Sequence, residues 1–507
     1  MEEILYITTP IYYVNAKPHI GHAYTTIVCD VFARFNRMLG KRVKFVTGTD
    51  EHGKKIEQSA ARSGMTPQVF SDQVSQLFRE LLPILNVSND DFVRTTENRH
   101  KVAVSHIWNT LHQNGYIYLG EYSGWYDIRN EAYFTEEELV DGKSPLDGRE
   151  VVIMKEECYF FKLSAFQNKL LEYYESHKDF IFPESKRNEV ISFVKSGLKD
   201  LAISRTTFNW GIPVPHNDKH VIYVWMDALA NYLTCNNYPE NQDQNNNEFW
   251  QNSLHFIGKE IVRFHAVYWP AFLMAANITP PRQIIAHGWW LSEGEKMSKS
   301  LGNVQDPVKL CNLFGSDALR YFLLRELSFG EDGNFTIESF VTRYNGFLAN
   351  SYGNLCKRVI TLVDKYSNGF VIKPEKFSKT DKDFVQNIDL LLEKTIELVE
   401  KYAFNRYLEK IEMATSLANQ FIDQEKPWAL KEFNDIKRMQ DVLYILLEAI
   451  IKITKFFDPV TPIAASKILH QIDNSVRDKI TVNSVDESVF PRIDVTKINE
   501  FDVYAKD

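Results

Sequence analysis

The sequence predicts an α/β fold with a parallel sheet, interrupted by an insertion and followed by an all-α helical bundle. Strand and helix patterns alternate near the start of the chain, and aromatic, turn-rich text breaks this alternation over residues 116–220. Helical periodicity is continuous beyond residue 360, which indicates a separate all-α domain. With 507 residues, of which 44% are hydrophobic, the chain can bury large cores in roughly three domains.

The amino-terminal residues carry the clearest strand and helix signals. "ILYITT" (residues 4–9) alternates bulky β-forming residues and predicts a strand. Apolar residues then recur at helical spacing from Ile20 to Met38, and Gly40 is expected to end this helix as its C′ residue. "RVKFVTGT" (residues 42–49) predicts a second strand. Together these elements form a βαβ unit, whose strands are parallel by strong default.

The tetrapeptide "HIGH" (residues 19–22) lies at the start of this predicted helix, after Pro18, which suits a first helical turn. Unpaired backbone N–H groups and the helix dipole attract phosphate at such a position. His19 and His22 share one helix face, and Gly21 permits close approach of the backbone, so the pattern suits a nucleoside triphosphate. An ordinary pair of surface histidines is the alternative.

The second strand ends in "TGTDEHG" (residues 47–53), which brings Asp50, Glu51 and His52 to the carboxyl edge of the sheet. Open α/β sheets bind ligands at this edge, where one carboxylate could hold a substrate ammonium. An N-cap of the next helix is an equally good interpretation of Asp50.

Composition excludes several classes of protein. The net charge is −9 and the pI about 5.9, so a polyanionic partner must be held by local basic patches. The five cysteines include no Cys-x-x-Cys pair, which argues against a disulfide framework and a thiolate metal site. The start of the chain resembles neither a signal nor a transit peptide, and we expect a cytoplasmic protein.

"KMSKS" (residues 296–300) is by itself typical of an exposed loop. "HIGH" followed much later by "KMSKS", however, is the signature pair of class I aminoacyl-tRNA synthetases. "TGTDEHG", "WGIPVP", "YVWMDA" and "HFIGKEIVRFH" narrow the resemblance to the methionyl-tRNA synthetase family, from residue 5 to about residue 460. The resemblance implies activation of L-methionine with ATP to methionyl-adenylate and pyrophosphate, and transfer of methionine to the 3′ end of tRNA(Met), including initiator tRNA.

The resemblance also implies roles for individual residues. The catalytic set is His19, His22, Lys296 and Lys299, in which Lys299 stabilises most of the charge that builds on the phosphates. ATP, with Mg²⁺, is expected at His19, Gly21, His22, Gly258, Glu260 and Lys299. The methionine-binding residues implied are Ile11, Tyr13, Asp50, Trp225, Ala228, Leu229, Tyr232 and His287, with Asp50 on the ammonium and the Tyr232 hydroxyl as a contact for the thioether. Asn354, Arg358 and Trp428 match residues that contact the anticodon.

By the same resemblance, the α/β part is a Rossmann-like catalytic domain that a connective-peptide insertion splits in two. The expected segments are the first catalytic half (1–115), the connective peptide (116–220), the second catalytic half (221–295), the "KMSKS" loop with the stem-contact region (296–360) and the helical anticodon-binding domain (361–507).

Many relatives carry a zinc knuckle in the connective peptide. The aligned positions in this chain are Asp127, Asn130, Ser144 and Asp147, and a set without cysteine or histidine suits zinc poorly, so we expect no zinc. The asparagine-rich stretch that begins at Asn236 is expected to be an exposed loop without function.

Two alternatives remain to be weighed. Synthetases for branched-chain amino acids carry a long editing insertion, for which the chain has no room between Tyr116 and Tyr223, and the cysteine enzyme needs metal ligands that are missing. The other alternative is an inactive descendant that only binds tRNA. Such a protein should have lost some of His19, His22, Asp50 and Lys299, but all four are present. No segment resembles the appended domain that dimerises some relatives, so we expect a monomer.

Overall fold

The structure is a computed structural model of the chain. It describes residues 3–128, 132–134, 136, 139–146, 148–241, 243–297, 302–432, 435–476, 478–483, 488–496, 501 and 503–504. The chain divides into two compact units. The first comprises Met1–Pro18, Gly40–Leu81 and Ser88–His287, and the second comprises His19–Leu39, Leu82–Val87 and Gly288–Asp507.

The secondary structure elements are numbered in chain order. The strands up to residue 222 are β1 Ile4–Thr8, β2 Tyr12–Tyr13, β3 Arg42–Asp50, β4 Asp91–Arg94, β5 Ile117–Asp127, β6 Ala132–Phe134, β7 Val152–Phe161, β8 Ile181–Phe182, β9 Leu201–Ala202, β10 Ser204–Arg205, β11 Pro213–Val214 and β12 Asn217–Ile222. The later strands are β13 Ser253–Gly258, β14 Gln283–His287, β15 Trp290–Ser292, β16 Glu295–Lys296, β17 Gly333–Phe335, β18 Phe370–Ile372, β19 Ile472–Asp473 and β20 Lys479–Val482.

Helices are numbered in the same way. The helices up to residue 275 are α1 Ile20–Met38, α2 Lys54–Arg62, α3 Pro67–Ile84, α4 Asn98–Gln113, α5 Gln167–Ser176, α6 Glu184–Lys195, α7 Val224–Leu229, α8 Asn231–Thr234, α9 Glu248–Gln251 and α10 Trp269–Ala275. The later helices are α11 Pro307–Phe314, α12 Ser316–Arg325, α13 Ile337–Arg343, α14 Asn354–Ser367, α15 Lys379–Glu400, α16 Phe404–Glu425, α17 Pro427–Glu432, α18 Ile436–Phe457 and α19 Pro462–Gln471. Among the helices of the described residues, none is long and apolar enough to cross a membrane.

A parallel sheet is the framework of the first unit. Its strands lie in the order β2–β3–β1–β13–β14–β8, and β4 also pairs with β3. Every pairing in it is parallel, and β1 pairs directly with β3, so the predicted strand–helix–strand alternation with a parallel sheet is confirmed. Gly48 of β3 has no room for a side chain, because a Cβ there would lie 2.0 Å from the carbonyl oxygen of Val93 on β4. Glycine therefore permits this close approach of strands.

Helix α1 begins at Ile20, two residues after Pro18. His19 is its N-cap, with the extended φ of −131° and ψ of 174° that an N-cap adopts, so Pro18 precedes the cap and does not lie in the first turn. The helix ends at Met38, and Gly40 follows with a φ of +84°, the left-handed conformation expected for a C′ glycine. The helix belongs to the second compact unit, whereas the strands on either side of it in sequence belong to the first.

The inserted segment forms an antiparallel sheet in the order β6–β5–β7–β9. After it, the asparagine-rich stretch is partly structured, and the expectation of an exposed loop is wrong for its middle. Gln244 is 1% exposed, and the Asn245 side chain accepts hydrogen bonds from the backbone and hydroxyl of Thr279 at 2.7 and 2.8 Å. Asn247 caps α9. Asn245 therefore joins this stretch to Thr279, 34 residues later, whereas the Asn247 cap of α9 is a local bond.

The second unit contains the predicted helical bundle. Phe384 of α15 and Phe421 of α16 stack with ring centroids 4.3 Å apart, and Asp381 receives both guanidinium branches of Arg438 at 2.8 Å. Asp306 caps α11 through the backbone N–H groups of Val308 and Lys309, as its Asp-Pro sequence predicted. A small sheet in the order β18–β20–β19 accompanies the helices and was not predicted, because its short strands carry little periodic signal.

One buried arginine ties several parts of the second unit together. Arg320 on α12 is fully buried and donates to Asp30 of α1 at 2.7 Å. It also donates to the carbonyl oxygens of Leu85, Pro459 and Val460. A planar guanidinium satisfies several acceptors at once, which makes a buried charge tolerable here.

Candidate functional site

The two histidines of "HIGH" form a reciprocal cap at the start of α1. Nδ1 of His19 accepts a hydrogen bond from the backbone N–H of Gly21 at 3.0 Å, and the backbone N–H of His19 donates to Nδ1 of His22 at 3.1 Å. The two ring centroids are 3.8 Å apart. A Cβ on Gly21 would lie 2.8 Å from Cε1 of His19, so glycine makes room for the capping ring.

This cap determines which nitrogen of each ring carries the proton. Burial lowers the pKa of His19 to about 4, and burial together with His19 lowers the pKa of His22 well below its usual value, so both rings are neutral at physiological pH. Because each Nδ1 accepts a backbone hydrogen, the ring proton must be on Nε2. The two imidazoles can therefore act as neutral Nε2–H donors to a phosphate oxygen.

Part of "KMSKS" lies beside the same glycine. A Cβ built on Gly21 would be 4.0 Å from Cε of Met297, the second residue of that motif. The backbone N–H of Ile20 donates to the carbonyl of Gln305, after the motif, at 3.2 Å. Nζ of Lys296 lies 4.1 Å from the ring centroid of Trp289. Lys299 lies outside the described residues, so its predicted role stays a prediction.

In the first unit, a set of aromatic side chains surrounds the predicted methionine-binding residues of α7 and α8. The indole of Trp225 stacks on Phe264, with ring centroids 3.6 Å apart and planes 8° from parallel. Ala228, Leu229 and Tyr232 are buried, whereas Ile11, Tyr13 and Trp225 are partly buried. Flat, partly accessible rings suit an apolar thioether side chain, which offers little to a hydrogen-bonding site.

The hydroxyl of Tyr232 is bonded to His265, a residue that the sequence reasoning missed. Nδ1 of His265 lies 3.0 Å from the carbonyl of Ile261 and must donate to it, so Nε2 accepts from the Tyr232 hydroxyl at 2.7 Å. Burial lowers the pKa of His265 to about 4, which keeps the ring neutral. The Tyr232 hydroxyl hydrogen thus points to His265, and the predicted contact of this hydroxyl with the thioether stays a prediction.

Asp50 lies at the carboxyl end of β3 and is 8% exposed. The alternative interpretation of Asp50 as an N-cap is wrong, because α2 begins at Lys54 with Gly53 as its N-cap and no side-chain cap. The neighbouring Glu51 is fully buried, and Arg94 donates to its two oxygens from Nε and Nη2 at 2.6 and 2.9 Å. Both carboxylate oxygens of Glu51 are bonded to Arg94. We therefore consider Asp50 as the carboxylate that binds a ligand at this strand end.

Two residues expected near ATP lie at the end of β13. A Cβ on Gly258 would lie 2.6 Å from each carboxylate oxygen of Glu260, so the Glu260 side chain folds over the glycine. His287 is the last residue of β14 and pairs in register with Gly258. His287 is buried. The Tyr232 hydroxyl is bonded to a different histidine, His265.

Two of the four positions that the sequence resemblance compared with zinc ligands, Asp127 and Ser144, lie in the described part of residues 116–220. The hydroxyl of Ser144 donates to Oδ2 of Asp127 at 2.5 Å, and both residues are buried. Asn130 and Asp147 lie outside the described residues. Among the residues that are described, no group of three or more His, Cys, Asp or Glu side chains is placed to hold a metal ion.

The residues expected at the anticodon belong to α14 and α17 of the second unit. Asn354 is exposed at the first turn of α14. The guanidinium of Arg358 lies over the ring of Trp428, with Cζ 4.5 Å from the ring centroid, and donates to Asp423 at 2.8 Å. Trp428 is partly buried, so part of the indole remains accessible to a ligand.

Sequence reasoning missed Phe264 and His265, which contact predicted pocket residues, and Asp227, which lies among such residues on α7. The first two lie in "HFIGKEIVRFH" and Asp227 lies in "YVWMDA", so the motifs included them without indicating their contacts. Asp227 accepts from His52, 175 residues earlier in the chain. No local pattern predicts such a pair.

Comparisons with known proteins agree with this arrangement. The family model described as tRNA synthetases class I (M) matches residues 5–146 and 135–360, and the anticodon-binding domain of tRNA ligase matches residues 381–504. The chain is 52% identical over 487 residues to a methionine–tRNA ligase of Rickettsia felis, covering 95% of this chain and 94% of that protein. It is 48% identical over 471 residues to that of Brucella suis biovar 1, covering 92% and 91%.

Solved structures give the same result. The methionyl-tRNA synthetase of Mycobacterium tuberculosis in complex with methionyl-adenylate matches with a TM-score of 0.92 and 43% identity, covering 97% of this chain and all of that one (100%). The free form of that protein matches with a TM-score of 0.85 and 40% identity, covering 97% of this chain and 99% of that one.

Proposed function

Because this chain belongs to the methionine–tRNA ligase family of class I tRNA synthetases, we propose a division of its two-step reaction among the residues described above. The chain joins methionine to tRNA at the expense of ATP. The methionine carboxylate attacks the α-phosphate of ATP, pyrophosphate leaves, and methionyl-adenylate forms. The methionyl group then passes to the 3′ end of the tRNA. No covalent intermediate with the protein is needed, so positioning and electrostatics carry the chemistry.

The observation that carries the catalytic assignment is the histidine cap of α1, with Met297 of "KMSKS" beside Gly21. The two neutral imidazoles supply Nε2–H donors for the triphosphate. Neutral donors avoid holding pyrophosphate as tightly as two cations would, which favours its release. Lys299 then supplies the positive charge that the transition state needs, with Lys296 assisting.

For the amino acid, we assign the ammonium of methionine to Asp50. We assign the thioether side chain to the surface formed by Trp225, Ala228 and Leu229. Ile11 and Tyr13 are assigned to binding of the same side chain. Tyr232, held by His265, presents oxygen lone pairs and a rigid ring, so selection rests on shape and aromatic contact. Gly258 and Glu260, at the end of β13, are assigned to ATP. His287, at the end of β14, is assigned to methionine.

For tRNA, we assign anticodon contacts to Asn354, Arg358 and Trp428. Unpaired bases stack on aromatic rings and on guanidinium planes, and the Arg358–Trp428 pair offers both. Initiator and elongator tRNA(Met) share the same anticodon, so both are proposed as substrates.

Further proposals follow from the family and from the residues of the connective segment. ATP enters with Mg²⁺ as its complex. The Asp127 and Ser144 side chains are hydrogen-bonded to each other, which does not suit a zinc site. We propose that no zinc is bound there. We also propose that the protein works as a monomer, in the cytoplasm, where tRNA is charged.

The proposed function is tested by amino-acid-dependent exchange of pyrophosphate into ATP. Purified protein is assayed with each standard amino acid, and Asp50→Asn, which keeps the shape of the side chain and removes its charge, is assayed beside it. Strong exchange with methionine alone, lost or greatly weakened in Asp50→Asn, is the expected result. Exchange with a different amino acid, or tRNA binding without exchange, would overturn the assignment.

A further inference from the structure

Asp227 is a fully buried carboxylate on α7 with a histidine on each of its oxygens. Nδ1 of His52 lies 2.6 Å from Oδ2, and Nε2 of His100 lies 2.8 Å from Oδ1. Burial by itself raises the pKa of Asp227, but the two histidines more than offset it and lower the pKa to about 2. Asp227 is therefore ionised, and both histidines donate to it.

The two histidines come from different parts of the first unit. His52 follows Asp50 by two residues, just beyond the end of β3. His100 is in the first turn of α4, and its Nδ1 lies 3.0 Å from the hydroxyl of Thr234 on α8. Asp227 thus connects the end of the sheet strand with two helices. Charged hydrogen bonds of this kind are short and directional.

The chain directly after Asp50 is anchored at two successive residues. Glu51 is fixed by Arg94, and its backbone N–H donates to the Thr95 hydroxyl at 3.0 Å. The His52 ring meets the indole of Trp210 edge-on, with centroids 5.4 Å apart. With Glu51 and His52 both anchored, the two residues that follow Asp50 determine the direction in which it leaves the strand.

Asp227 also lies within the helix that carries the predicted side-chain pocket. Trp225 precedes it by two residues, and Ala228 and Leu229 follow it directly on α7. Because α7 is short, spanning Val224–Leu229, its own hydrogen bonds hold its orientation weakly. Side-chain hydrogen bonds such as those of Asp227 must therefore hold the orientation of α7.

We propose that Asp227 and His52 are positioning residues for methionine: they hold the ammonium-binding carboxylate of Asp50 and the pocket helix α7 in one fixed relation. This inference rests on the proposed function, which assigns the ammonium to Asp50 and the thioether to α7. A single hydrogen-bonded cluster thereby fixes the distance between the groups that bind the two ends of one small substrate. Neither Asp227 nor His52 needs to touch the substrate.

The inference predicts a selective loss of methionine affinity. Displacing a charged partner by a fraction of an ångström weakens the contact in ground state and transition state alike, which raises KM more than it lowers kcat. We expect Asp227→Asn and His52→Gln to raise the KM for methionine about tenfold or more in pyrophosphate exchange, the scale of one charged hydrogen bond. The KM for ATP should stay within about twofold.

His106→Gln provides a matched control on the same helix as His100. Nδ1 of His106 lies 2.8 Å from the hydroxyl of Tyr238, so this variant and His100→Gln each remove a histidine that bonds a later part of the chain. His106 has no described bond to Asp227 or to α7. We expect His100→Gln to raise the KM for methionine and His106→Gln to leave it unchanged, with thermal midpoints measured for both.

A double-mutant cycle separates positioning from simple destabilisation. If His52 acts through Asp50, then His52→Gln should weaken methionine binding in the wild-type background and add little in the Asp50→Asn background. Should Asp227→Asn not fold, His52→Gln still carries this test in the full-length chain.

Unchanged KM values for methionine in all cluster variants would overturn the inference. So would a fully additive cycle, or a lowered kcat with all KM values unchanged, since these are the signs of a structural role alone. Failure of the proposed function is a different result, because the wild-type chain itself would then show no methionine-dependent exchange.

Discussion

The guanidinium of Arg358 covers the indole of Trp428 at 4.5 Å and is tied to Asp423 at 2.8 Å. Arg358 lies on α14, Trp428 on α17 and Asp423 on α16, so three helices of the second unit meet at one stacked pair. A cation held over a partly exposed ring is a ready platform for an unpaired base. The pair was expected from the sequence as two separate contacts, and the structure joins them.

Replacing the ring tests this platform. Trp428→Ala should lose roughly 1–3 kcal/mol of tRNA binding, the usual range for one stacked base. Adenylate formation should be unaffected, because the residues assigned to it do not lie on α14 or α17. Pyrophosphate exchange and tRNA charging are measured on the same variant, and Trp428→Phe, which keeps a ring, should recover part of the charging. Equal losses in both activities would instead identify Trp428 as a core residue of the helical domain.

Replacing the second lysine of "KMSKS" tests the source of transition-state charge. Lys299→Ala should lower the rate of methionine activation by roughly 10²-fold or more, the scale for one preorganised contact, and should change methionine affinity little. Rapid-mixing measurements of adenylate formation separate the two effects, and Lys382→Ala, an exposed lysine on α15, is the control. A collapse of methionine affinity with normal chemistry would show that the role of Lys299 was wrongly assigned.

Metal analysis tests the connective segment. Because the Ser144 hydroxyl already donates to Asp127 and the four positions include no cysteine or histidine, purified protein should contain zinc well below one atom per chain. Pyrophosphate exchange should persist after dialysis against a strong chelator. One tightly held zinc per chain in elemental analysis, or loss of activity restored by zinc, would contradict this.

Acidification tests the buried histidines. The pKa values of His19 and His265 are about 4, lowered by burial, whereas a histidine in the unfolded chain titrates near ~6.5. Between these values the unfolded chain binds more protons, so the free energy of unfolding should be greatest above pH ~6.5 and fall towards pH ~4. The depressed pKa of Asp227 continues the same trend at lower pH.

Denaturant unfolding at several pH values measures this slope. His265→Gln should have a lower free energy of unfolding at neutral pH, since it loses the bond to Tyr232, but a smaller decrease on acidification. His112→Gln, at an exposed position, should keep the wild-type slope. A wild-type-like slope in His265→Gln would show that His265 does not titrate as described.

The sequence predicted well what depends on neighbouring residues. Strand–helix–strand alternation, the left-handed Gly40, the Asp306 cap and the long helices beyond residue 360 follow from periodicity and cap chemistry over a few positions. The prediction failed for part of the asparagine-rich stretch, where Asn245 bonds Thr279, 34 residues later in the chain. It also failed for short strands such as β18, whose two or three residues carry too little pattern.

Motifs in the sequence indicated which residues to propose for the reaction, because each motif suits a particular chemistry of phosphate, ammonium or thioether binding. Only the tertiary structure decided how those residues are held. Tyr232 meets His265 at a separation of 33 residues and His52 meets Asp227 at 175. Such partners depend on how helices and strands pack, and packing is a property of the whole folded unit, whereas periodicity and capping act within one or two turns of chain.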